Sequence, residues 1–242
     1  MNLRADLTGK TALVTGAGKG LGRAIAKTLA ANGARVHAVA RTASDLDTLA
    51  AEQTGIVPMV GDVLSDDFFA DVAALGPVDL LVNNAGSNQP EPMVEVTDAT
   101  LDRLIDLNIR SVYRLSRTVA RTMPNGGAII HMSSQMAHVG AANRTVYCMT
   151  KAALEGLCRA MAVELGPRAI RVNTICPTFV LTPMTEGFFQ NPDFADTVAR
   201  MIQVPGLPDP QQVADGVLYL CSDAAAYVTG TALKVDGGWT AA

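Results

Sequence analysis

The sequence has little cysteine and histidine, and neither is arranged as in a metal or redox site. It holds four cysteines and three histidines in 242 residues. The cysteines form no CxxC pair, and no histidine lies at metal-ligand spacing from them. We therefore expect reduced thiols in the core and no metal site. The residues concerned are Cys148, Cys158, Cys176, Cys221, His37, His131 and His138.

Long apolar runs and an excess of basic charge are also missing. No run of about 18 apolar residues occurs, and the N-terminal stretch MNLRADLTGK has no apolar signal core. Nineteen Lys and Arg against 23 Asp and Glu give a net charge of -4, without the basic stripe that a phosphate backbone would need. These features predict a cytoplasmic protein with no membrane and no nucleic acid as partner.

No linker, repeat or charge block divides the chain, so we expect one domain over residues 1–242. Seven short apolar runs predict buried strands, and segments of helical period separate them. This alternation predicts an α/β, three-layer doubly wound Rossmann fold with a seven-stranded parallel sheet. The expected strands are 11–15, 34–40, 55–60, 79–83, 127–132, 170–175 and 231–235, and the expected helices are 21–31, 44–51, 66–75, 99–123, 146–165 and 211–222.

One long segment without a clear period runs from Pro177 to about Pro210. It holds four phenylalanines among several prolines. Loops of this length in compact domains are usually lids or binding elements, although a disordered insertion is the alternative. We expect a substrate lid at about 178–210.

A glycine-rich turn, TGAGKGLG at 15–22, follows the first strand and opens the first helix. Its spacing is Gly16, Gly20 and Gly22, which differs from GxGxxG. The same physics applies, because glycines let a pyrophosphate approach backbone N–H groups at the positive end of a helix. This position between strand and helix predicts a dinucleotide site.

The residues after the second strand favour NADP(H) over NAD(H). Arg41 and Thr42 stand where a basic residue accommodates a 2′-phosphate, while Asp45 lies further on, in the next helix. Lys19 in the glycine loop offers a second positive charge. The alternative is that Arg41 and Lys19 are ordinary solvated charges.

The stretch 133–151 carries Ser134, Tyr147 and Lys151. Tyr147 and Lys151 are four residues apart, so on a helix they share one face. Lowering a tyrosine pKa from 10 to about 7 requires roughly 4 kcal/mol of phenolate stabilisation, which a nearby lysine and an oxidised nicotinamide supply. Such a tyrosine can exchange a proton with a carbonyl oxygen, and Ser134 can hold that oxygen. The alternative is an exposed helical pair without function.

Together these motifs resemble the short-chain dehydrogenase/reductase family over nearly the full chain. The matching segments include TGAGKGLG, NNAG at 83–86, YCMTK at 147–151 and VDGG at 235–238. The resemblance implies a catalytic set of Asn108, Ser134, Tyr147 and Lys151, in which Asn108 holds a relay water and Lys151 binds the nicotinamide ribose. It also implies a cofactor site that contains Gly16, Lys19, Gly20, Leu21, Gly22, Arg41, Thr42, Asp62, Val63, Asn83, Ala85, Gly86, Tyr147, Lys151, Pro177 and Thr182.

One departure from the family pattern is Pro177-Thr178, where Pro-Gly is common after the sixth strand. This change should stiffen the turn without removing a catalytic group. Within the family, GAGKG, VARTASDLDTL and VYCMTK resemble the L-xylulose (dicarbonyl) reductases. That likeness supports NADP(H) more strongly than it supports a substrate.

The substrate remains open at this point. Gln135, His138 and Asn143 predict a wall that suits a ketose, polyol, sugar acid or dicarbonyl, although they could face solvent or another subunit. The lid phenylalanines would equally suit an apolar ketone or acyl chain, as in a 3-oxoacyl-thioester (acyl carrier protein) reductase. A non-catalytic dinucleotide-binding regulatory protein is the alternative of another class. The resemblance further implies a homotetramer, with contacts through 99–123, 146–165 and the C-terminal segment.

Overall fold

A computed structural model describes residues 3–183 and 185–241 of the chain. The strands are β1 Thr11–Thr15, β2 Arg35–Ala40, β3 Ile56–Val60, β4 Leu80–Asn83, β5 Ala128–Met132, β6 Arg171–Pro177 and β7 Ala232–Val235. The helices are α1 Gly20–Ala31, α2 Ala43–Glu52, α3 Asp66–Ala74, α4 Asp98–Ile105, α5 Ser111–Thr122, α6 Thr145–Leu165, α7 Pro192–Met201 and α8 Pro210–Cys221. All seven predicted strands are confirmed.

The strands form one parallel sheet in the order β3-β2-β1-β4-β5-β6-β7. Two apolar clusters cover its faces: Ile25, Leu29 and Leu218 belong to one, and Phe68 and Leu115 to the other. The three-layer doubly wound α/β prediction is therefore confirmed. Because the strand order reverses between β1 and β4, the chain leaves these neighbours in opposite directions and opens a crevice at their carboxyl ends.

All four cysteines are free thiols. Cys158, Cys176 and Cys221 are buried free thiols, and Cys148 is half-buried. Burial raises the pKa of each of the three buried thiols to about 12, so all three are protonated at neutral pH. Among the described helices, none combines the length and apolarity that a bilayer crossing requires.

Two helical predictions need correction. The expected helix 99–123 is interrupted by a π-helical turn, Asp106–Arg110, between α4 and α5. The expected long irregular segment contains α7, which Asn191 caps through hydrogen bonds from the Asp193 and Phe194 N–H groups. Pro192 at the first helical position needs no hydrogen-bond partner for its nitrogen, so it starts this helix rather than breaking it. Met184, within the predicted lid, lies outside the described residues.

Candidate active site

The glycine turn is shaped by close backbone contacts. Gly16 and Gly20 have positive φ angles of 65° and 55°, which favour glycine. A Cβ on Gly22 would lie 2.2 Å from the Gly16 carbonyl oxygen, so no larger residue fits there. The turn is held to the sheet by the Ala17 N–H, which donates to the Val39 carbonyl at 2.8 Å. The first N–H groups of α1, which no carbonyl of the helix accepts, therefore lie at this turn.

The loop after β4 locks onto the end of β1. The Thr15 hydroxyl accepts hydrogen bonds from the Asn84 and Ala85 N–H groups, both at 3.0 Å, and the Asn84 amide donates to the Thr15 carbonyl at 2.8 Å. These contacts fix the two sides of the crevice. Asn83 instead points into the core, where its amide contacts Ser116 and His131.

Charged residues gather where α1, β2 and α2 begin or end. Arg41 and Thr42 are exposed directly after β2. The Lys19 ammonium lies 3.3 Å from the Asp45 carboxylate, in the first turn of α2. Asp45 lies in α2, as the sequence interpretation expected, and it also pairs with Lys19, which the sequence did not indicate. Asp62 and Val63 follow β3, and the Asp62 carboxylate accepts the Leu64 N–H at 2.9 Å.

A cavity of about 300 Å³ joins the glycine turn to three of the four predicted catalytic residues, Ser134, Tyr147 and Lys151, whereas Asn108 is not in its lining. Its lining includes eleven of the predicted cofactor residues: Gly16, Lys19, Gly20, Leu21, Gly22, Ala85, Gly86, Tyr147, Lys151, Pro177 and Thr182. Arg41, Thr42, Asp62, Val63 and Asn83 are not in this lining. The first four lie at the carboxyl ends of β2 and β3, on the same edge of the sheet as the glycine turn.

Tyr147 and Lys151 lie on the first turns of α6 and face the cavity together. The Lys151 ammonium donates to the Met132 carbonyl at 2.7 Å, and its nitrogen is 5.5 Å from the centroid of the Tyr147 ring. Lys151 is only 5% exposed. The helical spacing thus brings the two side chains together as the sequence predicts.

Burial shifts the pKa values of both groups away from their charged forms. It raises the pKa of Tyr147 to about 12, against which the Ser134 hydroxyl and the Arg144 charge act. It lowers the pKa of Lys151 to about 8, against which Cys176 and Glu155 act. The sequence interpretation expected Lys151 and an oxidised nicotinamide together to lower the Tyr147 pKa, but in the protein alone burial outweighs the groups that act against it. Tyr147 is therefore protonated at neutral pH.

Ser134 and Asn108 reach the same region from two other elements. Ser134 follows β5, and its hydroxyl oxygen accepts the Met136 N–H at 3.1 Å. Asn108 lies in the π-helical turn, is 1% exposed, and exchanges two hydrogen bonds of 2.9 Å with the Ser87 backbone. Its amide also donates to Thr150 at 3.1 Å. A π-helical turn is rare and frequently marks a functional site.

A family model described as Enoyl-(Acyl carrier protein) reductase matches residues 16–240. The chain belongs to the short-chain dehydrogenase/reductase family. It is 44% identical to L-xylulose reductase of Bos taurus, with all of both chains covered. It is 40% identical to carbonyl reductase [NADPH] 2 of Sus scrofa, over 99% of this chain and 100% of that one.

Solved structures agree with the sequence comparisons. The structure described as an NAD(P) dependent gluconate 5-dehydrogenase from Beutenbergia cavernae with bound NADP has a TM-score of 0.93 and 34% identity. It covers 98% of this chain and 99% of that chain. Members of the short-chain dehydrogenase/reductase family use a nicotinamide dinucleotide. The residues here fit such a cofactor, because Gly16, Gly20 and Gly22, which have no side chains, line the cavity that also contains Tyr147 and Lys151.

The three predicted substrate residues of this short-chain dehydrogenase/reductase lie in different environments. Gln135 lines the cavity, and its amide oxygen and nitrogen are buried without a hydrogen-bond partner among the described residues. His138 is directed away from the cavity, with Nε2 at 3.6 Å from the Cys176 sulfur. Asn143 is exposed and has a φ of 60°, so it serves the turn before α6. The structure brings only Gln135 into the cavity.

Two cavity residues, Arg144 and Asn88, had not been singled out from the sequence, whereas Thr178 and the lid phenylalanines had. Arg144, Asn88 and Thr178 each have a buried polar atom without a partner in the described part of the chain. Phe179 and Phe188 of the predicted lid also line the cavity. The family pattern gave a signal for Thr178, as the departure from Pro-Gly. Burial of Arg144 has no sequence signal, because a lone arginine before a helix is usually solvated.

Proposed function

We propose that the chain is an NADP(H)-dependent oxidoreductase that interconverts a carbonyl and a secondary alcohol on a small polar substrate. The observation that carries this proposal is the shared cavity, in which the glycine turn and the Ser134, Tyr147 and Lys151 side chains meet. A dinucleotide cradle alone would suit a regulatory binder. Proton-transfer groups at the same cavity favour catalysis over that alternative.

The chain's residues supply binding and proton transfer, and hydride transfer is the chemistry that a bound nicotinamide provides. In the direction of reduction, Tyr147 donates its proton to the substrate oxygen as negative charge develops there. The Ser134 hydroxyl donates a hydrogen bond to the same oxygen. In the direction of oxidation, Tyr147 accepts the hydroxyl proton of the substrate.

Lys151 and Asn108 support this proton transfer. The buried Lys151 ammonium stabilises the phenolate that Tyr147 becomes after donation, and it has protons left to bind the cofactor ribose. Asn108 keeps the π-helical turn against Ser87 and Thr150, beside Gly86 and Lys151. We assign to it the positioning of a water that returns a proton to Tyr147 through Lys151.

The choice of NADP(H) rests on Lys19, Arg41 and Thr42. Lys19 and Arg41 are cations at the carboxyl ends of β1 and β2, and Thr42 adds a hydroxyl. No acidic residue directly follows β2, where a ribose 2′-hydroxyl is usually bound. A relative of 40% identity carries NADPH in its name. Asp62 and Val63 would contact the adenine.

Relatives favour a ketose, polyol, sugar acid or dicarbonyl over a thioester as substrate. L-Xylulose is the substrate in the name of the bovine relative, and gluconate in that of the solved structure. The unpartnered Gln135 amide suits a hydroxylated molecule. Residues 178–210, with Phe179 and Phe188 on the cavity, are assigned as its lid. We place the enzyme in the cytoplasm as a single-domain subunit.

The test is the initial rate of cofactor oxidation with NADPH and, separately, NADH. L-Xylulose, diacetyl and an acetoacetyl thioester are the carbonyl substrates. We expect turnover of a ketose or dicarbonyl with NADPH, and a much lower kcat/KM with NADH. Turnover of the thioester alone would favour the acyl-thioester alternative. Tight NADPH binding without turnover of any carbonyl would favour the regulatory one.

A further inference from the structure

Arg144 is a buried cation at the substrate end of the cavity. It directly precedes α6, three residues before Tyr147, and only 8% of it is exposed. Its side chain lines the cavity together with Tyr147 and Gln135. Arginine stays protonated in proteins, and a buried charge is unfavourable unless it is paired and hydrogen-bonded. A group must therefore compensate for this charge.

The described protein residues supply only part of that compensation. The guanidinium carbon lies 4.6 Å from the centroid of the Phe188 ring, a cation–π contact. The Nη1 atom is buried and has no hydrogen-bond partner among the described residues. None of the ion pairs in this part of the chain includes Arg144. The guanidinium thus presents unused donors at the cavity.

Glu91 is the acidic residue whose backbone touches this turn. Its N–H donates to the Asn143 carbonyl at 3.1 Å, directly before Arg144. Its carboxylate contacts the Gln89 amide and forms no ion pair with Arg144 within 4.0 Å. Its Oε2 atom is buried without a hydrogen-bond partner among the described residues, so Glu91 does not compensate the Arg144 charge there.

Other unused polar atoms line the same cavity. Both polar atoms of the Gln135 amide, the Asn88 carbonyl oxygen and the Thr178 hydroxyl are buried without partners in the described ranges. Buried polar groups are nearly always hydrogen-bonded, so such a concentration beside Tyr147 indicates a ligand with several polar groups. The guanidinium adds a requirement for negative charge.

We propose that Arg144 binds a carboxylate of the substrate, which is then a hydroxylated keto acid. This inference rests on the proposed function, because it takes the carbonyl oxygen to lie at Tyr147 and Ser134. Arg144 lies about one helical turn before Tyr147, within the span of a small sugar acid. The planar fork of a guanidinium matches a carboxylate with two parallel hydrogen bonds. Gln135 and Thr178 bind hydroxyl groups of the same molecule.

The first test compares two matched substrates on the unmodified enzyme with NADPH. 5-Keto-D-gluconate and L-sorbose differ only in a carboxylate in place of a terminal hydroxymethyl group. We expect a kcat/KM about 10 to 100 times higher for the keto acid, mostly through a lower KM, since a hydrogen bond to a charged group contributes that much. Equal values, or a preference for the neutral ketose, would overturn the proposal.

The second test replaces the arginine. Arg144→Met keeps an unbranched side chain, shorter than that of arginine, that can still contact Phe188, but it removes the charge. We expect it to lower the ratio of kcat/KM for the keto acid to kcat/KM for L-sorbose about 10- to 100-fold, and Arg144→Lys to restore part of that ratio. The matched control is Arg117→Met, an exposed arginine on α5 whose guanidinium lies 5.9 Å from the Tyr113 ring.

Binding separates this inference from the proposed function. Calorimetry of 5-keto-D-gluconate with the NADPH complex of Tyr147→Phe measures its Kd without turnover. Adding Arg144→Met to that variant should raise the Kd by at least the factor by which Arg144→Met alone raises KM. Turnover of neutral ketoses with no effect of Arg144 on keto-acid binding would contradict this inference alone. Absence of any carbonyl turnover would instead contradict the proposed function.

Discussion

At the scale of single residues, the chemistry of the site depends on how far burial shifts the pKa of each ionisable group. Tyr147 and Lys151 are adjacent on one helix face, yet burial acts on them in opposite directions. It keeps the phenol protonated and makes the ammonium easier to deprotonate. Both shifts suit a pair that transfers one proton and retrieves it from water.

Replacing Tyr147 by phenylalanine removes only the hydroxyl. We expect kcat to fall about 1000-fold, the range that general acid catalysis supplies, while NADPH affinity is nearly unchanged. Steady-state rates and fluorescence titration with NADPH measure the two quantities. The control is Tyr113→Phe on α5, where the side chain is exposed. Full activity of the Tyr147 variant would remove this hydroxyl from the mechanism.

The pH dependence of carbonyl reduction should report Lys151. Tyr147, with a pKa of about 12, remains protonated across the usual range, whereas Lys151, with a pKa of about 8, loses its charge within it. Since the charged lysine stabilises the phenolate, kcat/KM for reduction should be level below pH 7 and fall above about 8. A pH–rate profile from 6 to 10 checks this. A level profile up to pH 10 would contradict it.

The Lys19–Asp45 ion pair should moderate cofactor preference. Asp45 neutralises part of the positive charge that we assign to a 2′-phosphate. Asp45→Asn should therefore lower KM for NADPH several-fold at low salt and leave KM for NADH nearly unchanged, because exposed pairs contribute about 0.2–1 kcal/mol. The control is Asp47→Asn, exposed on the same helix. Equal effects on both cofactors would place the 2′-phosphate elsewhere.

Residue spacing explains which site residues the sequence could predict. Tyr147 and Lys151 share a helix face at four-residue spacing, and Ser134 follows the carboxyl end of a strand, so secondary structure alone positions them. The positions of Arg144 and Gln135 in the cavity wall depend on tertiary packing, which no local sequence pattern indicates. His138 and Asn143 lie in the same connecting segment, and only the folded turn decides that they point away from the cavity.

At the scale of elements, the proposed lid contains an aromatic cluster packed against the short helix α7. The Phe179 ring contacts Phe189, Phe194 and Trp239, with centroids 6.5, 5.0 and 5.7 Å away. Phe194 belongs to α7, and Phe179 follows β6. Aromatic pairs of this geometry contribute about 0.5–1.5 kcal/mol each. The cluster therefore couples α7 to the cavity wall.

Phe194→Ala should loosen the lid without unfolding the sheet. Its ring packs on Phe179, Phe188 and Phe189, so we expect KM for the carbonyl substrate to rise about tenfold. Thermal unfolding and Trp239 fluorescence, from the chain's single tryptophan, report the fold and the lid separately. Leu207→Ala, exposed in the same segment, is the control. An unchanged KM would exclude α7 from substrate binding.

Two elements differ from the sequence prediction for different reasons. The start of α7 does carry local signals, an Asn cap and a first-position proline, but several nearby prolines mask them. The π-helical turn at Asp106–Arg110 has no such signal. It adds one residue to a turn of continuous helical period, and contacts of Asn108 with Ser87 and Thr150 stabilise it.

At the scale of the whole molecule, α5 and α6 carry exposed apolar side chains. Tyr113 on α5 and Met149 and Val163 on α6 are exposed, and Val163 is 81% exposed. These helices fall within the contact surfaces that the family resemblance implies. We propose a homotetramer through them.

Val163→Glu should weaken that assembly, since it introduces a charge on an apolar contact surface. Light scattering coupled to size exclusion should show a mass four times that of the chain for the unmodified protein and a smaller mass for the variant. The control is Val60→Glu, at the exposed end of the edge strand β3. If Val163→Glu and Val60→Glu were both monomeric, or both tetrameric, the assigned contact surface would be wrong.

The hydrogen bonds between Thr15 and Asn84 also bear on how the chain acquires activity. These residues are 69 positions apart, and they meet only after β1 has paired with β4 across two intervening strands of sequence. Such non-local pairing forms slowly, because the entropy cost of closing the loop comes before the contacts between the strands stabilise the chain. During refolding, cofactor affinity should therefore return after most of the helix content has formed. A partly folded chain would then be helical but inactive.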